Sequence, residues 1–371
     1  MKIVKCKIYL MKIPFQNSFN HHLKKRNFSD SIILELTTDS GLTGYGEGIA
    51  RPYVTNETRE QCIHNLRNIT VPSLKTIELC ETKPSQFLKY INEIIPKSCL
   101  ASRTAAELAI LDLLLQKNSA SLSSILPTHY PELVYSGVLS ADDIENCRKR
   151  IMQFKELELE QVKIKLNGRN DLERVELARE LLGEGVSIRL DANGAFTAEE
   201  ALKLIKKLKK YNIASLEQPT PKADLKGMAK VTNSSNIPIM ADESLVTIND
   251  AKQLIEFKTC DSFNIRIAKC GGLYNTLKII KLAKKNQINL QLGCLVGETA
   301  ILSAVGRQLA ACEKFDFVEG SYSTLLLKED ICNEEIVWGK GGKAKPLTGT
   351  SFGITINKSV LTKYAEEIID A

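Results

Sequence analysis

Val186-Ser187-Ile188-Arg189-Leu190-Asp191-Ala192-Asn193-Gly194 is a short apolar-rich run that ends on an acid and breaks on Asn-Gly. The first five residues read as a buried strand and the last four as the loop that follows it. Just beyond, Thr197 and Glu200 have the spacing of a capping box, and Ala201, Leu204, Ile205 and Leu208 recur at three and four along one helical face. Strand, loop and amphipathic helix in that order make one βα unit.

The unit repeats. Lys165, Asp191, Glu217 and Asp242 end comparable runs at intervals of 26, 26 and 25 residues, so the chain is laid out in equal blocks. Strand-like runs at 261–267, 288–292 and 315–318, with a first one near 134–138, bring the series to about eight. Parallel strands with helical crossovers need both faces covered, and closure is the solution for so many units. The expectation is an α/β fold, a TIM-like (β/α)7β barrel. Before residue 130 the pattern differs: a meander through 3–13, Ser31-Ile32-Ile33-Leu34-Glu35-Leu36 and Gly44-Tyr45-Gly46-Glu47-Gly48, then helical periodicity over 57–116. That region predicts an α+β capping domain. After residue 325 the period is lost, and Ser351-Phe352-Gly353-Ile354-Thr355-Ile356 reads as a strand that packs back on the first domain. The expected boundaries are 1–128 and 325–371 for the cap and 129–324 for the barrel that carries the active site.

A length of 371 residues suits a barrel plus a companion domain. No apolar run approaches the roughly 20 residues that span a bilayer, and the opening Met1-Lys2-Ile3-Val4-Lys5-Cys6-Lys7-Ile8 alternates like a strand instead of resembling a secretion signal. Ten cysteines without a Cys-x-x-Cys pair fit a reducing, cytoplasmic setting. The net charge of +6 resides on lysine-rich helical faces such as Lys206-Lys207 and Lys209-Lys210, with no aromatic-basic reading motif beside them. Neither a membrane nor a nucleic-acid partner is expected. A homo-oligomer is compatible with everything above.

Active sites of such barrels sit at the carboxyl ends of the strands. Asp191, Glu217 and Asp242 end three successive strands. Each alone could cap a helix, but three hard oxygen donors in register, which would repel one another without a cation, point to one Mg²⁺. None of the four histidines lies on a barrel strand, which disfavours zinc. In Val162-Lys163-Ile164-Lys165-Leu166 the period of two puts both lysines on the inner face, a costly arrangement without a task. Lys269, in Ile267-Ala268-Lys269-Cys270-Gly271-Gly272, belongs to the sixth strand and stands half a ring from Lys165. Two amines on opposite sides of one substrate suit proton traffic.

Lys-x-Lys, Asp-Ala-Asn, Glu-Gln-Pro, Asp-Glu-Ser and Lys-Cys-Gly-Gly, in this order and spacing, resemble the enolase superfamily, in particular its muconate lactonizing enzyme subgroup and, within it, the dipeptide epimerases. The likeness spans nearly the whole chain, since Gly44 to Gly48 and the helix around Glu107 to Asp112 are similar to the capping domain. It implies Asp191, Glu217 and Asp242 as Mg²⁺ ligands, Lys165 and Lys269 as the catalytic acid–base pair, and Lys163, Asn193, Glu243 and Arg266 as supporting groups. The implied chemistry is removal of the α-proton of a carboxylate substrate through an enediolate, and the implied partner is a small-molecule carboxylate, a dipeptide of the L-Ala-L-Xaa type. Asp316 and Glu319 stand where the dipeptide epimerases carry an Asp-x-Asp pair for the substrate ammonium. Glu298, in the strand-seven segment Gly293-Cys294-Leu295-Val296-Gly297-Glu298-Thr299, joins them as a substrate-binding candidate. Lys24, in a loop that aligns with the segment contacting the substrate side chain, is the candidate clamp for an acidic residue. Asp316-Phe317-Val318-Glu319 does not reproduce the Asp-x-Asp pair. The alternatives are therefore a racemase of N-acyl amino acids, a dehydratase, an o-succinylbenzoate synthase or a cycloisomerase on the same scaffold, and a barrel that uses Lys165 in a Schiff base or binds without turnover.

Overall fold

The unit around Asp191 folds as read. In the computed structural model, which describes residues 1–20, 25–79, 83–97 and 99–371, a strand Ser187–Asp191 leads to a helix Ala198–Leu208. The Thr197 side chain accepts from the Glu200 N–H and Glu200 reaches back to Thr197, so two orphan donors of the helix start are satisfied. Thr247 and Asp250 repeat the device before the helix Ile248–Glu256.

Eight parallel strands form one sheet in sequence order: Gly137–Leu139, Gln161–Lys165, Ser187–Asp191, Ile213–Glu217, Ile239–Ala241, Ser262–Ile265, Asn289–Leu292 and Phe317–Val318. Its edges meet through a parallel bridge between Tyr135 and Val318 and a 2.9 Å bond from the Ser136 N–H to the Val318 carbonyl. Helices follow the first seven strands, the last two being Leu273–Lys285 and Ala300–Cys312. The eighth strand is followed only by the short Ser323–Leu326. The register pairs Lys165 with Asp191 and Asp191 with Glu217, which aligns the charged strand ends.

The cap is an antiparallel sheet ordered Ala365–Asp370, Ile3–Met11, Ile32–Thr38, Thr43–Gly48, with a hairpin Ile13–Asn20 and Lys25–Ser29 beside it. The long helix Leu100–Lys117 lies on that sheet. A Cβ on Gly46 would stand 1.9 Å from the Ala105 carbonyl oxygen, one on Gly48 2.1 Å from that of Ala101 and one on Gly44 2.4 Å from that of Ala109. Alternate glycines on one face of the strand thus meet helix residues spaced by four, and the backbones touch where side chains would normally intervene.

The tail departs from expectation. Residues 351–356 make no strand: Ser351 bridges Ser121, Ile356 bridges Cys332, and Ser351 and Gly353 take φ of 58° and 71° between them. Ser351 does pack back on the first domain, bridging Ser121 and donating from its hydroxyl to Asp112, but the strand that joins the cap sheet is Ala365–Asp370, antiparallel to Ile3–Met11.

Two buried carboxylates join cap to barrel. Glu47 accepts from the Ser31 hydroxyl (2.6 Å), the Thr299 N–H and hydroxyl (both 2.8 Å) and the Leu302 N–H (3.0 Å), capping the helix after the seventh strand. Glu107 accepts from the Tyr274 N–H at 3.1 Å, capping the helix after the sixth. Arg51, 1% exposed, pairs with Asp30 and donates to the Val296 carbonyl at 2.7 Å. The loops beyond strands six and seven are thereby fixed from above.

Candidate active site at the mouth of the barrel

The barrel interior is charged as it nears its carboxyl end. On the second strand, Lys163 is 2% exposed and its Nζ lies 2.9 Å from Glu319 Oε2, 3.3 Å from Glu217 Oε2 and 3.4 Å from Asp191 Oδ2. Burial alone would depress this ammonium, but Glu217, Glu319 and Asp191 outweigh it and hold it well above the ordinary lysine value. Two residues on, Lys165 donates to Asp191 Oδ2 and Asn193 Oδ1, both at 2.9 Å. Asn193, in a left-handed conformation (φ 45°), also donates to Glu243 Oε1 at 3.0 Å. Lys269 is fully buried and spends its protons on the Asp242 carbonyl and Oδ1, both 2.7 Å, and on the Asn264 carbonyl at 2.9 Å. Arg266 lies against Asp242 Oδ2 and 3.5 Å from Glu217 Oε1.

The acids divide by their company. Burial works to raise Asp191, yet Lys165 and Lys163 hold it well below the usual carboxylate range; Arg266 and Lys269 do the same for Asp242 against its own burial. Glu217 is pushed up to about 7 by burial and by Asp191, Asp242 and Glu319, against Lys163. Glu243 rises to about 8, through burial and the charges of Asp242 and Asp191.

A cavity of about 440 Å³ opens above these groups, and Lys163, Lys165, Arg266 and Glu319 line it. Lys269 stands behind Asp242 and does not. Three expected substrate contacts fall elsewhere or act otherwise. Asp316 is exposed at the amino end of its strand, where its N–H bonds to the Leu290 carbonyl, so it faces away from the site. Glu298 turns back to accept from the Leu295 N–H at 2.6 Å and does not line the main cavity. Glu319 does line it, but both its oxygens are engaged, one by Lys163 and the other by Arg189 at 2.8 Å. Lys24 lies outside the described residues.

Several site residues escaped the reading of the sequence. Asn264 and Gln291 donate to Glu217 at 2.8 and 3.0 Å, and Arg189, fully buried, stacks over Phe317 at 4.1 Å while holding Glu319. The signal was present: Arg189 and Asp191 share the period of two that singled out Lys163 and Lys165.

The sequence pattern of the family described as Enolase C-terminal domain-like matches residues 146–360. This chain belongs to the enolase superfamily. It is 32% identical to the hydrophobic dipeptide epimerase of Enterococcus faecalis, over 85% of this chain and 88% of that one. Over the full length of both chains it superposes on the crystal structure of the N-succinyl Arg/Lys racemase of Bacillus cereus with a TM-score of 0.91 at 26% identity. A dipeptide epimerase of E. faecalis, solved with Mg and the dipeptide L-Leu-L-Tyr, superposes at 0.85 and 29% identity, over 96% of this chain and 100% of that chain. Like these superfamily relatives, the chain is an isomerase.

Enolase superfamily members use Mg²⁺, and the donor set here fits such an ion. Asp191, Glu217 and Asp242 are all buried, all offer oxygen and end adjacent strands. Among the described residues, no three acidic, thiol or imidazole groups converge on one point as placed; Arg266 and Lys163 instead lie among these carboxylates as their counter-charges. The carboxylates already share cations, which is the electrostatic demand a divalent ion meets.

Proposed function

We propose that this enolase superfamily member is a Mg²⁺-dependent epimerase that inverts the α-carbon of an amino acid whose nitrogen is bound in an amide, in the first instance the C-terminal residue of a dipeptide. The observation that carries this reading is the placing of two amines at the two ends of one arc of acids: Lys165 on Asp191 and Lys269 on Asp242. In this reading Asp191, Glu217 and Asp242 would hold Mg²⁺, which when bound neutralises the charge that builds on the substrate carboxylate. Lys165, as the free amine, takes the α-proton on one face; Lys269 exchanges its contact with Asp242 for the substrate and returns a proton on the other. Asn193 orients Lys165 through its oxygen and is itself fixed by Glu243. Lys163 stays charged and holds Glu217 and Asp191 together.

A specific observation favours a second substrate class on the same chemistry. With both oxygens of Glu319 engaged by cations, the eighth strand offers the free ammonium of a dipeptide no carboxylate, which suits an N-acyl amino acid such as the N-succinyl substrates after which the B. cereus racemase is named. Incubation in D₂O with Mg²⁺ and libraries of dipeptides and N-acyl amino acids should introduce α-deuterium with inversion, detectable by mass and by chiral chromatography. Chelation of the metal, Lys165→Ala and Lys269→Ala should each cut the inversion rate by about 10²-fold or more. Undiminished turnover after exhaustive chelation, or two-way turnover without one lysine, would contradict the proposal.

A further inference from the structure

The cavity wall beyond the seventh strand is placed from outside the barrel. Cys294, Leu295 and Val296 line the cavity, and the turn they belong to is closed on itself. The Glu298 N–H bonds to the Leu295 carbonyl at 3.0 Å, Glu298 Oε1 accepts from the Leu295 N–H at 2.6 Å, and Gly297 takes a left-handed φ of 93°. Those bonds shape the turn but do not say where it stands over the barrel. Two of its carbonyls do. That of Val296 accepts from Arg51 at 2.7 Å, and that of Gly297 from the hydroxyls of Ser29 at 2.6 Å and Ser31 at 3.2 Å. All three donors belong to the cap.

Arg51 is 1% exposed and is not on the cavity lining, so its contacts are with protein. Besides Val296, its guanidinium reaches Asp30 Oδ1 at 2.8 Å and the Ala50 carbonyl at 2.9 Å. Asp30 gives its other oxygen to the Arg26 guanidinium at 2.8 Å. A chain of Arg26, Asp30 and Arg51 therefore runs from the hairpin strand Lys25–Ser29 to the wall. The other hairpin strand holds the segment after the eighth strand, from which Tyr322, Leu326 and Trp338 line the cavity: the Lys328 N–H donates to the Pro14 carbonyl at 2.8 Å, and Phe15 bridges Leu327. One hairpin thus braces two walls.

Resting on the epimerase reading for the reaction it serves, we propose that Arg51 is a positioning residue: anchored by Asp30, it sets the Cys294–Val296 wall through the Val296 carbonyl and so decides how closely the cavity grips its substrate, which Arg51 never touches. The role needs the planar fork of a guanidinium, since carboxylate and carbonyl lie on separate donors; an ammonium is a point charge and serves the carboxylate first.

The test compares Arg51→Met and Arg51→Lys in the full chain with Mg²⁺. Arg51→Met leaves Asp30 paired with Arg26, and Arg51→Lys restores a charge beside Asp30 without the second prong. Turnover of L-alanyl-L-leucine and N-acetyl-L-leucine is read by α-deuterium uptake, and backbone amide exchange by mass. Both variants should raise KM by about tenfold, the scale of one charge-assisted hydrogen bond, with kcat within about twofold because Lys165 and Lys269 are untouched. Exchange should quicken across 294–297 and stay as it is across 299–302, which Glu47 holds. Arg51→Lys should recover the denaturant midpoint that Arg51→Met loses, but not the KM. Recovery of KM together with the midpoint would reduce Arg51 to a structural residue, and unchanged exchange across 294–297 in Arg51→Met would overturn the tether outright. Quickened exchange there, in a protein whose wild type takes no deuterium into either probe, would uphold the tether and count against the epimerase reading instead.

Discussion

Glu319 shows how one carboxylate is claimed from two sides. Its oxygens hold the Lys163 ammonium and the Arg189 guanidinium, both buried, so removing its charge leaves Arg189 without its counter-ion and Lys163 with only Glu217 and Asp191. Breaking a buried pair in this way costs about 3–5 kcal/mol. Glu319→Gln should accordingly lower the denaturant midpoint and depress kcat for every substrate, because Lys163 loses the nearest of the three carboxylates that fix its position between Glu217 and Asp191. A selective rise in KM for substrates with a free ammonium, at unchanged stability, would instead return Glu319 to direct substrate binding. Lys163, Lys165 and the arc of acids were legible because inward charge on a barrel strand stands out against apolar neighbours. Arg189, Asn264 and Gln291 obey the same alternation, but each became meaningful only once the ring had closed and put them around one carboxylate. Tyr322 and Trp338 leave no periodic trace at all: they come from the segment where the repeat has ended, and only the fold brings them over the cavity.

Among the elements, the strand Thr43–Gly48 and the helix Leu100–Lys117 form the tightest joint, glycine face against the Ala101, Ala105 and Ala109 ridge. A methyl group on Gly46 would meet carbonyl oxygen and amide nitrogen of the helix backbone at 1.9 and 2.5 Å, with no flexible side chain to yield. Gly46→Ala should destabilise the protein by about 3 kcal/mol, the upper part of the range for overpacking, and thermal denaturation will measure it. A loss below about 0.5 kcal/mol would mean that strand and helix part freely. The capping box at Thr197 and the βα alternation were readable because local sequence decides them. The tail was not. Phe352, Ile354 and Ile356 alternate like a strand, but left-handed backbone at Ser351 and Gly353 breaks the run, whereas Ala365–Asp370 looks too acidic for a strand and pairs because an edge of the cap sheet awaits it.

At the scale of the whole molecule, the cap is fastened to the barrel by carboxylates that pay a desolvation penalty. Burial pushes Glu107 up to about 7, and its Oε2 has no partner. An unfolded glutamate titrates near about 4.3, so between those values the folded chain keeps a proton that the unfolded chain has lost. Stability from this group therefore falls as pH rises through that window. Glu107→Gln does not titrate and keeps the acceptor for the Tyr274 N–H, so the difference in stability between variant and wild type should move in favour of the variant between pH 5 and about 8. Guanidinium unfolding across that range will show it; a difference independent of pH would mean that Glu107 is ionised throughout. The pairing of Ala365–Asp370 with Ile3–Met11 also sets an order of events on the ribosome. The first strand leaves the exit tunnel hundreds of residues before its neighbour exists, and every barrel unit is translated in between. The nascent chain must therefore carry Ile3–Met11 as an uncovered sheet edge through the whole period of barrel folding, until Ala365–Asp370 covers it and becomes the edge in its place.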